Sequence, residues 1–77
     1  MARQVIIYTR VGCADCEREK ELLSRKGVAF EERDLGADKK YADELTAMGI
    51  NVTPVTLIDD ELVVGFEPQE IEALLKV

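Results

Sequence analysis

Residues 4–9, QVIIYT, form a short β-branched and aromatic run, and a helical pattern follows almost at once. Such a run reads as a buried strand. A second strand-like segment, Val28 to Leu35, comes after the helix and sets Val28 and Phe30 against Glu31 and Arg33 on alternate faces. This succession leaves a chain of 77 residues few options. The two strands pair in parallel, and the helix between them crosses over with a right hand.

The first helix spans about Ala14 to Lys26, with Cys16, Leu22 and Leu23 on one side. Its other faces carry opposite charges at helical spacing, Glu17 with Lys20 and Glu21 with Arg25. Gly27 ends it. Asp38 caps a second helix with Tyr41, Leu45 and Met48 as its core side, and Gly49 stops that one. Tyr8 is read as core in preference to groove edge. Pro54 to Ile58 is a third strand, Asp59-Asp60-Glu61 a tight turn, and Leu62 to Val64 a fourth strand, antiparallel to the third. A last helix has Pro68 in its first turn and buries Ile71, Leu74 and Leu75. The expectation is one α/β domain over residues 1–77, ordered β-α-β-α-β-β-α, with a four-stranded mixed sheet between helices.

The chain has two cysteines, Cys13 and Cys16, and no histidine. With a net charge of -6 it argues against nucleic acid and anionic membrane surfaces, both of which are bound through clustered Lys and Arg. No apolar run approaches the ~20 residues that cross a bilayer. The opening MARQVIIYT is too brief and too β-branched for a secretory leader. These features point to a cytoplasmic chain, where a structural disulfide is not expected.

Three readings of the cysteine pair compete. A structural zinc needs four ligands, so a site within one chain would need carboxylates as its other ligands, which is uncommon, or two chains could share a zinc or an iron-sulfur cluster through four thiolates. A staple closing so short a loop removes little chain entropy. Two unrelated packed cysteines are also possible, since free Cys behaves as a small hydrophobe. The redox reading accounts for the placement best. Cys13 falls at the start of a helix that follows a strand, where unpaired N–H groups and the helix dipole stabilise a thiolate. Cys16 lies one turn further on a similar face. A Cys-x-x-Cys near a β-α-β pattern is a thioredoxin-like signature.

IIYTRVGCADC (6–16), VTPV (52–55) and VVGFEP (63–68) together resemble the small glutaredoxins and NrdH-type redoxins of the thioredoxin superfamily. The resemblance covers nearly the whole chain. It implies a thioredoxin-like (glutaredoxin) fold and dithiol–disulfide exchange without a bound cofactor. It implies a cis Thr53–Pro54 bond facing the cysteines, and a substrate-binding rim of Arg10, Thr53, Pro54, Gly65 and Phe66. The chain departs from glutathione-using members in three places. Ala14 and Asp15 stand between the cysteines in place of Pro-Tyr. Thr53 directly precedes the proline. Gly65-Phe66-Glu67 replaces a Gly-Gly-polar segment. The implied partners are protein disulfides, ribonucleotide reductase among them, with a thioredoxin-reductase-type flavoenzyme or glutathione as reductant; the carrier is expected to be a monomer. Helix dipole and Arg10 should lower the Cys13 pKa, while Asp15 and Glu17 should raise it.

Overall fold

The computed structural model describes residues 4–75. The reading of the opening segment against a secretory leader falls in part on residues 1–3, outside the described residues. The order is β1 (Val5–Thr9), α1 (Ala14–Arg25), β2 (Glu31–Asp34), α2 (Lys39–Ala47), β3 (Val55–Ile58), β4 (Glu61–Val64) and α3 (Pro68–Leu75). Among the described residues no helix is long and apolar enough to cross a membrane.

The four strands form one sheet in the order β2-β1-β3-β4. β1 runs parallel to β2 and antiparallel to β3, and β4 returns antiparallel to β3. All five residues of β1 are buried, as expected of a strand covered on both faces. Alternation along it feeds two cores. Val5 packs with Leu23, Ile58, Val63, Ile71 and Leu75, which puts α1 and α3 on one face. Ile6 and Tyr8 pack with Leu45 and Val55, which puts α2 on the other.

Side-chain bonds pin the same layers. On the α1 face the Thr9 hydroxyl donates to Glu32 Oε2 at 2.7 Å, and Lys20 Nζ reaches the same oxygen at 3.1 Å. The Thr9 bond is the main reason the Glu32 carboxyl sits below its ordinary pKa. On the α2 face Tyr8 donates to Glu44 Oε1 at 2.8 Å, and Arg33 donates to both groups at 2.9 Å. Tyr8 is therefore core, with its polar tip satisfied. Burial, and then the bond to Glu44, pushes its hydroxyl pKa up.

The element boundaries need several corrections. The second strand starts at Glu31, not Val28, because residues 27 and 28 close α1. Gly27 takes φ +69, its N–H donates to Ser24 O, and the Val28 N–H donates to Leu23 O. This is the Schellman arrangement, which needs a residue at ease with positive φ. Val28 and Phe30 still pack on the first core. α2 ends with the same bonds, Gly49 to Thr46 and Ile50 to Leu45. Met48 is consequently the C-cap and is 42% exposed, so it is not core. Ile50, tied back to Leu45, packs there instead, while Tyr41 packs at the core's edge. The third strand begins one residue after Pro54, which has no N–H to donate. Glu61 belongs to β4, which leaves Asp59-Asp60 as the hairpin turn.

One core residue was not foreseen. Glu19 lies on the inner face of α1 with Cys16 and Leu23 and is fully buried. Burial alone lifts its carboxyl to about 7 from 4.5. The folded state thus keeps a proton that the unfolded chain releases. The associated stability is whole below the unfolded value and is lost as pH rises through about 7. At ~1.4 kcal/mol per pKa unit, the full shift is worth about 3 kcal/mol. Glu19→Gln is therefore expected to leave stability nearly unchanged at about pH 4 and to raise it by up to ~3 kcal/mol at about pH 8, read by urea unfolding at both values. An equal effect at the two pH values would contradict the burial argument.

Candidate active site

The loop leaving β1 turns sharply into α1. The Cys13 N–H donates to Arg10 O at 3.2 Å, and Gly12 sits at φ +82. A turn of this kind needs positive φ at its third position, which Gly supplies without steric cost. The turn makes Cys13 the N-cap of α1, a place usually filled by Ser, Thr, Asp or Asn. Its sulfur takes over the capping role and accepts the Cys16 N–H at 3.2 Å.

The sulfurs of Cys13 and Cys16 are bonded to each other, with their Cα atoms 5.2 Å apart, inside the span a disulfide bridges. Their settings differ. Cys13 is half-buried, and Cys16 is fully buried. Among the described residues no three or more His, Cys, Asp or Glu side chains gather as a metal site would need. A metal held by this pair would take its other ligands from a second chain.

The Thr53–Pro54 peptide bond is cis, as the resemblance implied. The Thr53 hydroxyl donates to Cys13 Sγ at 3.7 Å, and Pro54 is buried. The Gly65 N–H donates to Pro54 O at 2.8 Å, which draws the end of β4 against the proline segment. The structure thus brings Cys13, Thr53, Pro54 and Gly65 together. Phe66 is half-buried and lines a groove of about 270 Å³ on α1 with Arg18, Glu21, Leu22 and Arg25. That groove runs along α1, and neither cysteine, Thr53, Pro54 nor Gly65 lines it. Arg10 is exposed and has no ion pair among the described residues; its carbonyl is what engages Cys13.

The sequence reading did not single out two exposed side chains at the site. Val11 is 83% exposed and Val52 48% exposed, one in each loop bordering Cys13. Both are aliphatic side chains left exposed in loops, one between β1 and α1 and one between α2 and β3. Their signal was present, since each lies outside any strand or helix pattern. The acids near the cysteines are also compensated. Asp15 pairs with Arg18 at 3.1 Å and Glu17 with Lys20 at 2.9 Å.

A protein-family model described as glutaredoxin matches residues 5–63. The glutaredoxin-like protein NrdH of Lactococcus lactis subsp. lactis (strain IL1403) is 30% identical over 70 residues, covering 91% of this chain and 97% of the relative. The NrdH protein of Salmonella typhimurium is 33% identical over 70 residues, covering 91% of this chain and 86% of that one. Among solved structures, the NrdH-redoxin of Escherichia coli superposes with a TM-score of 0.87 at 30% identity, over 94% of this chain and 95% of that one. It is described as a glutaredoxin-like protein with a thioredoxin-like activity profile. The fold is thus thioredoxin-like, a four-stranded mixed sheet with three helices. The chain belongs to the glutaredoxin family, with NrdH redoxins among its relatives. Members of that family are thiol–disulfide oxidoreductases.

The Thr53 hydroxyl gives a direct test of the site's electrostatics. A donor to the charged form of a thiol favours that form. Thr53→Val keeps the shape and removes the donor. In the reduced protein it is expected to raise the Cys13 pKa by roughly one unit. The pH dependence of Cys13 alkylation measures this, and an unchanged midpoint would remove Thr53 from the set of thiolate donors.

Proposed function

We propose that this chain is a dithiol carrier that reduces protein disulfides through the Cys13–Cys16 couple. The observation that carries this reading is the unequal setting of the two sulfurs. Cys13 is half-buried at a helix N-cap, and Cys16 is fully buried behind it. A helix N-terminus with fixed N–H donors favours the thiolate, which is the attacking species. Reduced Cys13 attacks a substrate sulfur and forms a mixed disulfide. Cys16 then attacks the Cys13 sulfur, releases the reduced substrate and restores the Cys13–Cys16 bond. An extended substrate peptide lies along the backbone of Thr53 beside Pro54, with Arg10, Gly65 and Phe66 at the borders.

The substrate class we assign is the disulfide of a ribonucleotide reductase, supported by the kinship with proteins named NrdH. The reductant we assign is a thioredoxin-reductase-type flavoenzyme rather than glutathione. Glutathione brings two carboxylates to its site. Here Phe66 and the exposed Glu67 follow Gly65, and Pro68 removes one donor from the start of α3. The net charge of -6 opposes the same ligand. Val11 and Val52 offer apolar area to a protein partner instead. The thioredoxin-like activity profile of the Escherichia coli relative supports the same choice. The carrier works as a monomer in the cytoplasm.

Two measurements test this. With a model protein disulfide, Cys16→Ser is expected to trap an adduct on Cys13, and Cys13→Ser to trap little. Mass spectrometry showing the adduct mainly on Cys16 would reverse the roles. In an NADPH-coupled assay, a thioredoxin reductase should sustain turnover that glutathione with its own reductase does not. We expect at least a tenfold advantage, about 1.4 kcal/mol in the barrier. Phe66→Ala should lower turnover with the flavoenzyme while changing Cys13 alkylation little. Faster reduction with glutathione would overturn the assignment of the reductant and leave the dithiol chemistry standing.

A further inference from the structure

Three buried side-chain oxygens have no hydrogen-bond partner among the described residues: Oε1 and Oε2 of Glu19, and Oγ1 of Thr56. All three lie on the side of the sheet that α1 and α3 cover. Glu19 is on the inner face of α1, one turn after Cys16 and one turn before Leu23. Thr56 is two residues from Ile58 on β3 and so shares the face that Ile58 gives to the first core; its register partners are Ile7 and Val63. A glutamate serving only solubility belongs on the outer face, where Glu17 and Glu21 already stand. Residues three apart on a helix are neighbours, with Cβ atoms about 5–6 Å apart. The fully buried sulfur of Cys16 is thus the nearest reactive group along this face of the helix.

The geometry points to Glu19 as the group that exchanges a proton with the Cys13–Cys16 couple from its buried side. This inference rests on the dithiol reading proposed above. In the mixed disulfide Cys16 is a thiol, out of reach of bulk water. Its sulfur bonds to the Cys13 sulfur, and the bond between Cys13 and the substrate breaks. The electron pair leaves on the substrate sulfur, and the Cys16 proton passes to the Glu19 carboxylate. When a reductant thiolate later attacks Cys13, the Cys13–Cys16 bond breaks, and Cys16 leaves with its electron pair and takes the proton back from Glu19. Atoms and charge balance in both directions.

The surroundings fit this role. On α1 the helical neighbours of Glu19 are Cys16, Asp15 and Lys20; Asp15 is held by Arg18, and Lys20 by Glu17 and Glu32. β1 presents Thr9, whose hydroxyl donates to Glu32 of β2. Asp34 of β2 accepts from the Gly36 N–H. β3 and β4 present Thr56 and Val63, and α3 presents Ile71. At the far end Lys26 pairs with Glu72 of α3. Burial is the one cause that lifts the Glu19 carboxyl, to about 7. A group that must both accept and return a proton works best near the ambient pH.

The test uses the reduced full-length chain and an aromatic disulfide that releases a coloured thiolate. The first release reports attack by Cys13, and the second reports ring closure by Cys16. In the native protein the closure rate is expected to rise through about pH 7 and then level off. Glu19→Gln should slow closure by about tenfold or more at neutral pH and abolish that inflection, with the first release nearly unchanged. Glu19→Asp should restore part of the rate. Redox-difference infrared spectroscopy of the native protein, which needs no variant, should show a carboxyl band that changes with the couple. Superimposable pH profiles for native and Glu19→Gln closure, equal slowing of both releases, or a carboxyl band blind to redox state would each overturn the proposal. If the native protein releases fewer than two thiolates, the dithiol reading fails first and this inference falls with it.

Discussion

The site depends on where β1 ends. β1 is one of the two inner strands of the sheet, parallel to β2 and antiparallel to β3, with every residue buried. A right-handed crossover from β1 to its parallel neighbour fixes the start of α1 over the carboxyl end of β1. Because β3 is antiparallel to β1, its entry, Thr53 and Pro54, arrives at that same edge. β4 reverses again, so its exit at Gly65 arrives there too, held by the bond from the Gly65 N–H to Pro54 O. Three loops distant in sequence meet above one strand end because of pairing directions alone. Ligand sites of α/β sheets lie outside strand carboxyl ends for the same reason.

That logic explains which parts were legible beforehand. The β-α-β order, the closing hairpin and the cysteines at a strand-to-helix junction are patterns of period and position, and these survive folding intact. Local closure was less legible. Val28 looks like the first residue of a strand because it is β-branched and alternates with Phe30. In the fold its N–H belongs to the end of α1, since a Schellman closure uses two residues beyond the C-cap. Met48 fails for a related reason. Its i+7 spacing from Tyr41 is helical, but Gly49 ends α2 in time to make Met48 the exposed cap, and Ile50 swings back to the core.

Glu19 was illegible in a different way. Residues 17–21 of α1 read EREKE, so a charge there looks like one more solvated side chain. Its position, three residues after Cys16 and four before Leu23, places it on the inner face regardless. Propensity and charge spoke for solvent, and helical phase decided for the core. Nothing in the sequence reports that its oxygens find no partner among the described residues, because that depends on what the strands present opposite them.

The electrostatics of Cys13 follow from the same separation of surface and framework. Arg10, the cation nearest in sequence, is exposed. Asp15 and Glu17, the nearby anions, are each paired with a cation on the same helix. Exposed pairs of this kind contribute about 0–1 kcal/mol and fade with salt. The groups that touch the sulfur are instead the Cys16 N–H and the Thr53 hydroxyl, one fixed by the first turn of α1 and one by the segment entering β3. Both are neutral dipoles held by backbone geometry, so their effect on a thiolate survives ionic strength that would erase the surface charges. The sequence reading set the helix dipole and Arg10 against Asp15 and Glu17. The fold adds two donors that carry no formal charge, and it places Glu19, whose carboxyl is buried without a hydrogen-bond partner among the described residues, one turn beyond the buried Cys16.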